Sequence, residues 1–178
     1  GLAPGDHRVA LGWTDTPPVI DGVMDDPGWL DGGVVDDLTQ VLPVPGATPT
    51  QRTEIRLVTD GKTLYVGFRC WDTDPSKIVR NRKKRDNFPF YDDRVGVSID
   101  TFHTRRNGYF FQTNPNGMRH DVLLETENFE ISWDTIWYVE TSIDDEGWTA
   151  EFAIPFASIG FDPNLSLIHI SEPTRRYL

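Results

Sequence analysis

A single cysteine, Cys70, stands in 178 residues, so no disulfide can close within the chain. Its alternation with Leu64, Val66 and Phe68 marks it as a small buried hydrophobe on one strand face rather than a reactive thiol. No apolar run approaches the roughly 20 residues that a membrane-spanning helix needs. Cations are scarce: Lys and Arg number 17 against 28 Asp and Glu, a net charge of −11. Nucleic-acid and anionic-membrane surfaces need clustered cations that displace counterions, and the one basic run, Arg80 to Arg85, is balanced by Asp86, Asp92 and Asp93. A nucleic-acid partner is therefore excluded on charge. Catalytic signatures are missing too. There is no G-x-S-x-G, no H-E-x-x-H and no glycine-rich phosphate loop, and His7, His103 and His120 are scattered. Asp92 and Asp93 are adjacent, so on a strand they point to opposite faces, whereas glycoside hydrolysis needs carboxylates held about 5–5.5 Å or about 6.5–9.5 Å apart. The domain reads as non-catalytic.

What the chain does have is short alternating strands with turn residues between them. Val95, Val97 and Ile99 alternate with Arg94, Gly96, Ser98 and Asp100, the period of a strand with one face in a core. Tyr109 to Asn114 follows, then the turn Asn114-Pro115-Asn116-Gly117, then a returning strand over Met118 to Glu125. A hairpin is predicted at Glu54 to Thr59 and Thr63 to Trp71 around Asp60-Gly61, and another at Thr135 to Ile143 and Trp148 to Pro155 around Asp144 to Gly147. Residues 1–16 read as an irregular lead-in, Val19-Ile20 as an edge strand, Asp25 to Gly32 as a turn that tucks Trp29 under the sandwich, and Leu38 to Val41 as a strand. Pro43 to Thr50 reads as a loop and Ser76 to Arg85 as a short polar helix. Trp137, with Trp133, reads as a packing corner, while Trp71 is balanced between packing and contact roles. The fold class is all-β: an antiparallel, jelly-roll-like β-sandwich.

The run Phe88 to Asp100, with Tyr109 to Asn114, resembles the family 9 carbohydrate-binding modules. More closely, it resembles the family-9-like domain at the N-terminus of large bacterial envelope proteins whose C-terminal region is membrane-embedded. Ile20-Asp21-Gly22 before Trp29, Leu64 to Phe68 leading into Asp72-Thr73-Asp74-Pro75, Trp133-Asp134 before Trp137, and Gly147-Trp148 ending in Ile154-Pro155-Phe156 extend the likeness over nearly all of residues 17–161, within a domain expected over 17–164. The resemblance implies an extracytoplasmic carbohydrate-binding domain whose partners are a polysaccharide or oligosaccharide and the C-terminal membrane region of its own parent. It also implies a fragment that lacks the family's last strands, and a structural calcium ion. Oxygen ligands for calcium are offered by Asp72, Thr73 and Asp74, or by Asp86 with Asp92 and Asp93.

Sugars have polar edges and apolar C–H faces, so a site for them pairs an aromatic platform with fixed polar groups. The candidate carbohydrate-binding residues are Phe90, Tyr91, Asp93, Arg94, Gln112 and Asn114, expected on an open face. The family's stacking tryptophan falls on Phe90, its glutamate on Gly96 and its arginine on Gln112. Those departures support a second reading, an interaction domain that has lost sugar binding. A third makes the domain the accessory module of a glycoside hydrolase. Residues 165–178 break the pattern: LSLIHISEPTR resembles the in-frame translation of a sequencing adapter, and this tail is expected to be foreign to the domain.

Overall fold

The computed structural model of the chain describes residues 11–36, 51–81, 92–100, 107–125, 128–130, 135–160 and 167–174. Its strands are β1 (Gly12–Trp13), β2 (Gly33–Val35), β3 (Thr53–Thr59), β4 (Thr63–Trp71), β5 (Arg94–Asp100), β6 (Asn107–Thr113), β7 (His120–Glu125), β8 (Asn128–Glu130), β9 (Tyr138–Asp144), β10 (Gly147–Pro155) and β11 (Leu167–Thr174). They form two sheets. The first runs β1-β3-β4-β10-β9 with β2 also paired to β3, and the second runs β11-β5-β6-β7-β8. All pairings are antiparallel except the two-residue β1–β3 contact, which is parallel.

Side-chain period and turn chemistry explain most of this. Leu64, Val66, Phe68 and Cys70 of β4, Trp148, Ala150, Phe152 and Ile154 of β10, and Val95, Val97 and Ile99 of β5 are buried in one core between the sheets. Trp137 joins the two layers: its ring stacks on Phe152 of the first sheet at 5.6 Å and meets Phe111 of the second edge-on at 5.2 Å. Three turns share one device, a side-chain oxygen that accepts two backbone N–H groups beyond it. Asp60 Oδ1 serves Lys62 and Thr63, Asp144 Oδ1 serves Glu146 and Gly147, and Asn114 Oδ1 serves Asn116 and Met118. Gly117, at φ 73°, then lets β7 return.

The outer face of the first sheet is covered by residues 14–32. Trp29 is 1% exposed within the 3₁₀ turn Pro27–Asp31 and packs with Met24, Ile20, Tyr65, Val58 and Ala153. Gly67 gives this segment room: a Cβ there would stand 2.4 Å from the methyl carbon at the movable end of Met24 and 3.1 Å from the Trp29 ring.

Some expectations fall differently. Val19-Ile20 is not a strand; the edge strand lies earlier, at Gly12–Trp13, inside the stretch read as irregular lead-in. Only Pro75–Lys77 is helical within the expected helix over 76–85, and residues 82–85 lie outside the described residues. Ile78 and Val79 are consecutive and both buried, and Val79 O accepts from Asp93 N at 2.9 Å, which draws the chain straight alongside the start of β5. The reading of Leu38 to Val41 and Pro43 to Thr50 falls outside the described residues; β2 precedes it. Within the tail read as foreign, Leu167–Thr174 pairs with β5 from Asp100 to Arg94, with an irregularity after Ser171. That edge of β5 is thus occupied.

Candidate functional site

Of the six residues expected to form a sugar-binding face, Phe90 and Tyr91 lie outside the described residues. The other four come together where β5 begins and β6 ends, but not as an open surface. Arg94 is half-buried, while Asp93, Gln112 and Asn114 are 0%, 2% and 0% exposed. The expectation that these three are open to solvent is corrected by the network they make. Asn114 Nδ2 donates to Asp92 Oδ2 at 2.8 Å while its Oδ1 holds the turn amides of Asn116 and Met118, both at 3.1 Å. Gln112 Nε2 lies 2.7 Å from His120 Nδ1 on the paired strand. Burial holds the His120 imidazole below its ordinary range, against the opposing pull of the Asp121 carboxylate, so a neutral ring accepts the Gln112 amide proton at Nδ1. These groups set the shape of the β6–β7 turn.

Asn114→Ala is accordingly expected to cost about 2–3 kcal/mol, since it removes one partner of Asp92 and leaves buried donors behind. A shift in the urea midpoint at unchanged slope would measure it.

Gly96, where the family resemblance places a glutamate, is crossed by an aromatic ring. A Cβ at Gly96 would lie 3.0 Å from the Phe110 ring and 3.2 Å from Phe111 O. A carboxylate there would need Phe110 to move. The remaining aromatic candidates divide clearly. Trp137 is fully buried as packing, and Trp133 lies outside the described residues. Trp71 carries the Arg52 guanidinium at 4.1 Å from its ring centroid and Arg69 at 5.7 Å, a cation–π stack on the first sheet.

Of the carboxylates expected to suit calcium, Asp72 and Asp74 are engaged with neighbouring groups, Asp92 Oδ2 accepts from Asn114, and Asp86 lies outside the described residues. Asp72 Oδ1 accepts from Asp74 N, and Asp74 accepts from the Ser76 hydroxyl and pairs with Lys77; the Ser76 bond foremost holds the Asp74 carboxyl below its ordinary value. Among the described residues, Asp21, Asp26 and Glu151 bring carboxylate oxygens within 4.8 Å of one another. Glu151, fully buried on the outer face of β10, accepts from Gly22 N at 2.7 Å, Asp21 N at 3.1 Å and Trp29 Nε1 at 2.9 Å. Both Glu151 oxygens are thus engaged by N–H donors, and Asp26 Oδ2 is a buried oxygen of the group without a hydrogen bond. The three carboxylates by themselves fall short of the roughly six to eight oxygens calcium takes.

Sequence reading missed a cleft on the opposite sheet. Tyr65, Ala153 and Tyr138 stand opposite one another on β4, β10 and β9. With Ile20, Thr63 and Glu140 they line a space of about 310 Å³. The Tyr65 hydroxyl is 3.4 Å from Asp60 Oδ2, and burial, reinforced by that carboxylate, pushes the phenol above its ordinary value, so it stays neutral. No signal along the chain brings residues 65, 138 and 153 together; only register does.

Fold and placement define a two-sheet, all-β domain with a ring-and-carboxylate cleft on one outer face and a sealed polar network in the other sheet. A scan against protein-family models finds no match, and a search of curated proteins finds none. Among solved structures, the chain is similar to a family 9 carbohydrate-binding module from Caldicellulosiruptor kristjanssonii in complex with glucose, with a TM-score of 0.62 and 18% identity over 90% of this chain and 74% of that one. It is also similar to a family 9 module from the same organism in complex with cellotriose, at a TM-score of 0.53 and 22% identity over 78% of this chain and 63% of that one. The chain has the sandwich fold of these modules.

Proposed function

We propose that this domain is a non-catalytic saccharide-binding module of a larger extracytoplasmic protein, contacting its ligand where β5 begins, with Phe90 as platform, Tyr91 beside it and Arg94 as hydrogen-bond donor. What supports the reading is the shared fold with two modules whose structures hold glucose and cellotriose. A fold alone does not carry function, so the site has to be tested by itself. In this reading Asp93, Gln112 and Asn114 serve the site by fixing the start of β5 and the end of β6. Titration with cello- and xylo-oligosaccharides is the experiment. Binding weakened about tenfold or more by Phe90→Ala, roughly 1.4 kcal/mol, is the expected result.

The second reading is an interaction domain that docks on the membrane region of its own parent protein. The observation favouring it is specific: Phe110 lies across Gly96, and Gln112 pairs with His120 rather than facing outward. Silence towards every glycan, with the domain folded, leaves this reading in place of the first.

A further inference from the structure

We propose that the outer face of the first sheet carries a second saccharide subsite, in which Tyr65 and Tyr138 flank an alanine floor and Glu140 accepts hydroxyl protons at the rim. It takes its ligand class from the saccharide-binding reading but shares no residue with the face around Phe90.

Register builds the cleft. Ala153 of β10 is paired with Tyr65 on one side and Tyr138 on the other. The tyrosines are therefore two strand spacings apart, about 9.5 Å, with a single methyl group between them. The neighbouring row holds Thr63 opposite Pro155, and Pro18 and Ile20 of the covering segment close one side. Tyr65 and Ala153 are buried and form the inner wall and floor, and Tyr138 is the ring that opens to solvent. The cleft volume of about 310 Å³ lies at the lower end of the roughly 300–1,000 Å³ of small-molecule sites, room for a mono- or disaccharide and not for a long chain.

The chemistry of the lining selects the ligand. Tyr138 is 56% exposed, so most of its surface is available to a ligand. The negative face of an aromatic ring attracts C–H groups that carry slight positive charge, which is what the apolar face of a pyranose presents. Glu140, two residues along β9 and on the same face, is exposed and accepts hydrogen bonds only, matching sugar hydroxyls as donors. A carboxylate at the rim of a chain with net charge −11 repels uronates and other anionic sugars, so the ligand is an uncharged pyranose.

Calorimetric titration of the whole chain with cellotriose separates this subsite from the other. In the parent chain a second binding event is expected. Tyr138→Ala, at an exposed position that leaves the melting temperature in place, removes one event and keeps the one sensitive to Phe90→Ala. Glu140→Gln weakens the same event several-fold, and a glucuronic-acid oligosaccharide fails to produce it. Binding by Tyr138→Ala indistinguishable from the parent overturns the subsite while leaving the β5 reading intact. Binding abolished by Tyr138→Ala and untouched by Phe90→Ala supports the subsite and overturns the β5 reading instead. A parent chain that binds nothing overturns both.

Discussion

Glu151→Ala is expected to be among the most damaging single substitutions in the domain, with a loss on the order of 4 kcal/mol. The side chain is fully buried and receives the amides of Asp21 and Gly22 and the indole N–H of Trp29. Its removal orphans donors that cost about 1–3 kcal/mol each when buried. Against a total stability of roughly 5–15 kcal/mol this is a large share, and urea unfolding followed by tryptophan fluorescence measures it directly. The same residue makes stability depend on pH with a defined sign. Burial, opposed by the three N–H donors and helped by the Asp21 carboxylate, raises the Glu151 carboxyl from about 4.5 to about 7. The native state therefore holds a proton that the unfolded chain has released. The associated stability is complete below about pH 4.5 and is lost as pH rises through about 7. From pH 5 to pH 8 the parent should lose up to about 3 kcal/mol relative to Glu151→Gln, whose side chain does not titrate. Parallel pH curves for the two proteins would show the carboxyl to be charged throughout.

Trp137→Ala is expected to cost about 3–5 kcal/mol, the range for emptying a large aromatic site in a packed core. The ring stacks on Phe152 and meets Phe111 edge-on, so the cavity would open between the two sheets. Trp137→Phe should cost much less than that. Trp137 Nε1 is buried without a hydrogen-bond partner, and phenylalanine discards that unmet donor along with part of the ring. A similar loss for both variants, read as melting temperatures at one pH, would show that the indole N–H has a use that packing alone does not give it.

The strands and turns were legible because each is a local matter. Alternation of Val95, Val97 and Ile99 sets which face of β5 is inward, and Asp60, Asn114 and Asp144 announce their turns by carrying an oxygen beside the amides it must satisfy. Trp29 and Cys70 were readable as buried on the same grounds. Alternation does not say whether an outward face stays outward. Gln112 sits on the non-core face of β6, as expected, yet is sealed there against His120, and Glu151 sits on the non-core face of β10 beneath Trp29. Both burials depend on segments distant in sequence, and in the case of Glu151 on residues about 130 positions away. The cleft between Tyr65 and Tyr138 escaped for the same reason, since it exists only in the registers of β10 with its two neighbours.

Strand β9 also reaches beyond its own sheet. Thr141 Oγ1 donates to Pro115 O at the β6–β7 turn, Ser142 Oγ donates to Gly22 O in the covering segment, and Arg119 donates to Trp137 O just before the strand begins. It works as a buckle through which two otherwise separate parts of the chain, the covering segment and the β6–β7 turn, are fastened to the first sheet. Peeling β9 away would loosen the covering segment and the opposite turn in the same event, so the domain comes apart as one cooperative unit rather than sheet by sheet.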